Sequence, residues 1–359
     1  MKRKKWQGRC LIYALVIVTS IFFLHMTTGL ASAQKGLEYP KLLRFAAPSP
    51  GSMLYAVNSG LAKVASDHSP MTVLIVPTTG ASAWYPMLSK LGSADLAVDN
   101  LTVFWQMWHG KAAPEPLPKG FPPRPPYEKS REVRILMAGL LTQVGMLTRK
   151  DSGLMEVSDL RGKKIAWGWS GFPPAVSITL ANILNGGLTI DDVKGVPIVE
   201  VVSGVKAVQE GRIQATTAAV GMGAIAQADT LVGVRFLRNS LDPERIKMGQ
   251  RAMPGCYTTV LKGGPPGVPE DTPIWSMNNG VLVSTRMPDH VAYKLLEAWW
   301  EYYKEYAPIH RLLATWTPDK FVNKNVTVPY HNGSVKFFKD KGVWSPEMEA
   351  VQNQLLTGN

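Results

Sequence analysis

Four short turns of small residues carry the chemistry that can be read in this chain: Ser49–Ser52, Thr78–Ser82, Gly168–Gly171 and Gly221–Gly223. Each ends a strand-like run and opens a helix-like one. Each therefore offers backbone N–H groups that have no partner inside the helix. Such amides attract a carboxylate or phosphate without help from an arginine. Two turns from each half of the chain, facing across a crevice, would hold a small anion from both sides. Catalytic patterns are missing: there is no HExxH, zinc cysteine pair, GxxxxGK[ST] loop or GxSxG elbow. Gly168-Trp169-Ser170-Gly171 lacks the last spacing of such an elbow, and His68, His109, His290, His310 and His331 are scattered singly. Cys256 has no adjacent His or Lys to activate it and reads as a small buried residue. Gly221-Met222-Gly223-Ala224-Ile225-Ala226 fits a loose GxGxxA dinucleotide fingerprint, but the next strand ends in Arg238-Asn239 without the acid that would hold a ribose. The expectation is a binding protein, not an enzyme, with no cofactor and no metal.

The elements that must position these turns alternate. Leu42–Ala47, Thr72–Val76 and Asp95–Val98 read as strands; Met53–Ala65, Ser82–Leu91 and Leu101–His109 read as helices. Lys111–Tyr127 then holds seven prolines and is expected to be an exposed loop inserted in the first lobe. Arg134–Gly139 and Val144–Thr148 read as two strands that open a second series. Lys164–Trp167, Pro197–Val202, Ala215–Val220 and Val234–Leu237 supply further strands, with a helix over Ala175–Leu184 closed by Asn185-Gly186-Gly187. Gly280–Ser284 is one more strand, and the chain after Pro288 reads as mainly helical. This alternation argues for an α/β fold with mainly parallel pairing. The expected domains are 1–33 as a signal peptide, 34–140 as the first lobe, 141–277 as the second, and 278–359 as the return to the first with C-terminal helices. A chain that leaves one lobe and returns to it has two crossovers, which act as hinges beside a cleft.

Residues 1–33 read as an export signal, with an uncleaved N-terminal anchor as the alternative. Lys2, Arg3, Lys4, Lys5 and Arg9 form a basic head, Leu11–Leu24 is an apolar run too short to span a membrane, and Ala31-Ser32-Ala33 is a small-residue cleavage site. The expected location is the periplasm, with cleavage near Ala33. Removing the five positive residues of the head lowers the formal charge from +12 to +7. The remaining excess is spread along the chain, so a nucleic-acid partner is not expected.

The residues resemble those of solute-binding subunits of TRAP (tripartite ATP-independent periplasmic) transporters, specifically the TAXI family. Gly51-Ser52-Met53-Leu54-Tyr55 is similar to the family's first glycine turn, and Thr79-Gly80-Ala81-Ser82 with Gly92-Ser93-Ala94-Asp95-Leu96-Ala97 resembles its "TGG…GxADLG" stretch. Asp159–Ile165 is similar to "DLKGKRV", Glu210–Ala215 to "xGxIDA", and Tyr330–Ser334 with Lys341-Gly342-Val343 to "HPGA…KGV". The resemblance covers about Leu42 to Leu356. It implies a two-lobed periplasmic binding protein fold of the class II type, with a cleft between the lobes and a helical tail packed on the first. It also implies a small and a large integral membrane subunit as partners, and a small organic acid as solute. A periplasmic sensor for a signalling receptor is the alternative use of the same fold.

The departures bear on the solute. Met53 and Leu54 replace polar or aromatic residues of the first turn, the second runs on to Trp84-Tyr85-Pro86, and the second-lobe turn reads Gly168-Trp169-Ser170-Gly171-Phe172-Pro173-Pro174 where the family has GxxGSGT. A carboxylate on an apolar or aromatic body is expected. Ser52, Thr79 and Ser82 would meet the carboxylate, and Tyr55, Trp84, Trp169 and Tyr257 would supply walls. The full candidate set adds Ser49, Gly51, Met53, Thr78, Gly80, Asn100, Gly168, Ser170, Gly171 and Gly221.

Overall fold

The computed structural model describes residues 37–48, 50, 53–78, 80–121, 125–170 and 172–358. The expected signal peptide lies outside them, as do Ser49, Gly51, Ser52, Thr79 and Gly171 of the candidate set. Leu37–Pro40 belong to one unit and form no helix or strand; Lys41–Asn359 forms the other, which is the body of the protein.

The first half opens with β1 (Leu42–Ala47), α1 (Met53–Asp67), β2 (Thr72–Pro77), α2 (Ala81–Pro86) running into a π-helical turn (Met87–Leu91), β3 (Leu96–Asn100) and α3 (Leu101–His109). β1 pairs in parallel with β2 and β3. In α1, Val57, Leu61 and Val64 fall on one face at helical spacing and are buried. Gly60 shares that buried side because a β-carbon there would collide with Leu313. Asn100 caps α3, its side chain accepting the Val103 N–H at 3.0 Å, and left-handed Gly110 ends the helix.

Two long strands then run through both halves. β4 (Val133–Arg149) was expected as two strands and forms one of 17 residues. Much further along the chain, β10 (Thr272–Ser284) has 13 residues and lies antiparallel to β4 along nearly all its length. The main sheet runs β2-β1-β3-β10-β4-β7, with β9 on β10 and β8 on β4. One end of the β4–β10 ribbon carries the first-half strands; the other carries β7 (Thr216–Ala219), β8 (Val234–Phe236) and β9 (Cys256–Leu261). The register slips between Asn279 and Leu282. Gly139 at that level has φ +101°, and a β-carbon on Gly280 would stand 2.7 Å from the Met137 carbonyl oxygen. Only glycine fits both places, so the ribbon bulges there instead of breaking. This is why two expected strands are one.

The second half interleaves its strands with β5 (Lys164–Gly168), α4 (Pro174–Asn185), β6 (Lys194–Ile198), α5 (Val201–Gln209), α6 (Gly223–Val232) and α7 (Pro243–Gln250). β5 and β6 pair in parallel, and the Ala166 N–H donates to the Ala215 carbonyl, tying β5 to the β7 side. The expected strand over Pro197–Val202 stops at Ile198. Glu200 donates its N–H to Ser203 Oγ at 3.3 Å and starts α5 in a β-branched stretch that local propensity assigns to a strand.

The C-terminal part is helical, with α8 (Asp289–Glu301), α9 (Tyr303–Tyr306), α10 (Asn332–Asp340) and α11 (Pro346–Thr357). It packs on the first half through buried polar tips of apolar side chains. Trp299 Nε1 donates to the Leu61 carbonyl at 2.9 Å, and Trp316 Nε1 to the Ala138 carbonyl at 2.7 Å. Among the described residues no helix is long and apolar enough to cross a membrane.

Candidate functional site

The two halves meet in a narrow crevice between the first turns of α3 and α4. Asn100, Thr102, Val103 and Gln106 line it from the first half; Pro174, Ser177, Ile178 and Met253 line it from the second. Its unfilled space is about 180 Å³ and is too narrow to seat a solute. Gln106 Nε2 donates to Ser177 Oγ at 3.0 Å and to the Ala112 carbonyl at 2.8 Å, and Thr102 Oγ1 donates to the Pro254 carbonyl at 2.8 Å. The Gln106–Ser177 and Thr102–Pro254 bonds join the two sides of the crevice.

The first-half turns are wired in different ways. Thr78 donates both N–H and Oγ1 to the Ala47 carbonyl, at 2.7 and 3.0 Å, and its Oγ1 accepts the Gly80 N–H at 3.2 Å. Its hydroxyl thus knits the turn to the end of β1. Gly80 precedes α2 with φ +125° and no side-chain cap, which leaves the first amides of that helix to other partners. Ser82 is exposed, Met53 and Tyr55 are half-buried, and Trp84 is buried in the core. At α3 the Val103 amide is already used. Asn100 takes the Val103 N–H, while Asp99 Oδ1 accepts both the N–H and the side-chain amide of Asn100, at 2.8 and 2.9 Å. This junction places a buried carboxyl group next to the crevice-lining Asn100, which the amide-cradle expectation did not include. Burial pushes Asp99 up to about 7, and the Asn100 N–H works against that.

In the second half, Gly168 and Trp169 both adopt left-handed backbone, at φ +88° and +46°. For a tryptophan this is a strained conformation. Packing holds it there. The indole is buried in the second-half core and donates from Nε1 to Thr179 Oγ1 at 3.2 Å, and Thr179 Oγ1 also meets Thr217 Oγ1 at 2.7 Å. The ring is thus packed in the core, while Gly168 and Ser170 on either side of it are exposed. Gly221 is exposed at φ +90°. Tyr257 on β9 is half-buried; burial raises its hydroxyl pKa and a bond to Asn278 opposes the shift.

The sequence reading missed a row of polar side chains in the long strands. Asn279 donates from Nδ2 to the Leu140 carbonyl at 3.1 Å and to Thr142 Oγ1. Thr259 Oγ1 and Ser276 Oγ are 2.6 Å apart, and Gln143 Nε2 reaches Thr259 Oγ1 at 3.5 Å. Two successive asparagines, Asn278 and Asn279, inside a largely apolar buried strand were the available signal.

The proline-rich segment is also more than a free loop. Ala112, Ala113, Pro118 and Tyr127 are buried. The segment leaves the first half and docks on the second: Gly120 lies against Leu180, Ile190 and Trp167, Arg251 Nη2 donates to the Pro116 carbonyl at 2.8 Å, and Lys119 pairs with Asp191 at 2.5 Å. It returns to the first half at Tyr127, which packs edge-on against Tyr85. Cys256 is buried with Sγ 2.6 Å from the Met253 carbonyl oxygen, and burial pushes its thiol well up, the reverse of an activated nucleophile.

The sequence matches the NMT1-like family over residues 45–342, and the chain belongs to that family, whose members are periplasmic solute-binding proteins. The match does not single out the TAXI subfamily. No curated protein matches the sequence. Among solved structures, the chain is similar to the periplasmic aliphatic sulphonate-binding protein SsuA from Escherichia coli, at 14% identity and a TM-score of 0.48, covering 89% of this chain and 100% of that one. It is similar to an adipate-bound protein from R. palustris at 12% identity and a TM-score of 0.47, covering 74% of this chain and 84% of that one. A TctC solute-binding protein from Polaromonas gives 12% identity and a TM-score of 0.45, covering 77% and 88%.

Proposed function

We propose that this member of a solute-binding family captures a small organic acid in the periplasm by closing its two halves, and hands it to the membrane subunits of a TRAP transporter. The observation that carries the reading is the crevice where α3 and α4 meet, closed by the Gln106–Ser177 bond and flanked by a two-strand ribbon bulged at Gly139 and Gly280. A solute held between the halves gains contacts to both only when they are closed, so binding draws the equilibrium shut. Residues 34–140 and 278–359 form the first lobe on this reading and 141–277 the second, with the hinge at the bulge. On this reading the exposed or uncapped members of the candidate set, Gly80, Ser82, Ser170 and Gly221, face the solute.

Native mass spectrometry of freshly purified protein, followed by isothermal titration of the released compound and its homologues, tests the binding step. An acid that binds at micromolar concentration or tighter is expected; a bound neutral or cationic compound would remove the organic-acid reading. The TRAP partnership rests on the motif resemblance at Asp159–Ile165 and Tyr330–Ser334. Proteoliposomes carrying the membrane subunits should take up the loaded solute when an ion gradient is imposed, and uptake that needs ATP hydrolysis instead would rule that partnership out.

A further inference from the structure

Gly221 is roofed by an arginine from far along the chain. A β-carbon on Gly221 would fall inside the guanidinium of Arg311, so the absence of a side chain there is what lets Arg311 lie over the turn that follows β7. The two residues belong to different halves. The segment carrying Arg311 is fixed to the first half: Ile309 and Leu313 pack on Gly60, and Trp316 bonds Ala138. Gly221 is fixed to the second: the Val220 N–H donates to the Gln143 carbonyl at 2.9 Å. Both attachments use the edge of β4 that β10 leaves open, on either side of the Gly139 bulge. Arg311 therefore spans the junction of the halves near the Gly139 bulge.

Among the described residues the guanidinium has no pairing partner. Ten of the twelve arginines among the described residues hold a carboxylate, a backbone carbonyl or an indole: Arg44 and Arg235, for example, pair with Asp95 and Glu270, and Arg131 covers Trp108. Arg245 has no such group but lies over Gly187, just past the C-terminus of α4, where a cation is favoured. Among the described residues Arg311 has no carboxylate, carbonyl or indole partner, and its guanidinium lies over no helix C-terminus. An arginine fork held at a junction with all its donors unspent matches a planar or tetrahedral oxyanion.

We propose that Arg311 is the residue that reads the acid group of the solute, delivering a positive charge from the first half onto the Gly221 turn of the second. This rests on the reading of the protein as a binder of small organic acids. The recognised group is a carboxylate or sulfonate; the body of the solute lies elsewhere in the junction. Gly221 is required because any side chain there would displace the fork.

The test compares wild type, Arg311→Gln, Arg311→Lys and Gly221→Ala by isothermal titration against hexanoate, hexanesulfonate, adipate and benzoate, with hexanamide and benzamide as uncharged matches. Arg311 is exposed, and the thermal midpoint of each variant reports its folding. R311Q is expected to weaken the acid that wild type binds by at least tenfold while leaving the matching amide unchanged, with R311K intermediate and G221A weakened. Acid binding by R311Q at the wild-type level would overturn the assignment while leaving the organic-acid reading intact. Equal loss for acid and amide would make Arg311 a latch between the halves and would also overturn it. Wild type that binds only the amides, or none of the probes at millimolar concentration, would remove the organic-acid reading and this assignment together.

Discussion

Gln106 on α3 and Ser177 on α4 share a 3.0 Å hydrogen bond across the crevice, and no other buried side-chain pair lining it is so directly tied to both halves. Gln106 also holds the Ala112 carbonyl, so one amide group links α3, α4 and the start of the proline-rich segment. Gln106→Leu keeps the size of the side chain and removes both bonds. The bond to Ser177 contributes on the order of 1 kcal/mol to closure, so roughly fivefold weaker solute binding is expected. Small-angle scattering without solute should show a larger radius of gyration. An unchanged radius and affinity would mean that closure is held elsewhere.

Gly139 offers a sharper test of the ribbon. With φ at +101° and the Lys320 carbonyl where a side chain would start, Gly139→Ala meets both backbone strain and a collision with main chain. A loss of about 2–4 kcal/mol is expected, read as a lower denaturant midpoint with unchanged slope. Gly162, also left-handed at φ +74° but with open space around it, is the control and should lose less on the same substitution.

Asp99 gives a prediction in pH. Its folded carboxyl is pushed up to about 7, above the roughly 4 of an unfolded aspartate. Between those values the folded state keeps a proton that the unfolded state has lost. The stability contribution is therefore complete below about pH 4, falls as pH rises towards 7, and is flat above. Asp99→Asn removes this dependence while keeping an oxygen for the Asn100 N–H. The variant should match wild type near pH 4 and be more stable at pH 8, by an amount of order 1 kcal/mol or more. Thermal midpoints measured across that range decide it; parallel curves for the two proteins would refute the assignment of the slope to Asp99.

The proline-rich segment should loosen before the body does. Arg251→Ala removes the bond to the Pro116 carbonyl, and Lys119→Ala removes the exposed pair with Asp191, which contributes little by itself. The double variant should be cut faster by a protease between residues 111 and 121, while its global thermal midpoint changes by no more than a degree or two. Equal acceleration of cleavage throughout the chain would mean that the segment is not an independent local unit.

Much of the architecture was legible because it is local. The run Leu101–His109 is bounded by Asn100, a good cap, and Gly110, a good stop, and the helix has those bounds. Met53–Asp67 announces itself through Val57, Leu61 and Val64. What failed to show was long-range. Nothing near Gly139 tells whether a glycine ends a strand or bulges it, because the deciding partner is Lys320. α5 was hidden by valines that prefer strands until tertiary packing overrides them. At the candidate site, the small-residue turns were visible as composition, but Asp99 beside the crevice, the polar row around Asn279, and Arg311 over Gly221 depend on chain segments brought together from far apart.

The place of β10 in the sheet has a consequence for biogenesis. It lies between β3 and β4, which come far earlier in the chain, and it contributes to both halves. Until residue 284 has been synthesised, β3 and β4 each lack the neighbour that covers one edge. The nascent polypeptide therefore has no finished domain to collapse into for most of its synthesis. Folding must be largely post-translational, and neither half should be obtainable as a truncated fragment that stands by itself.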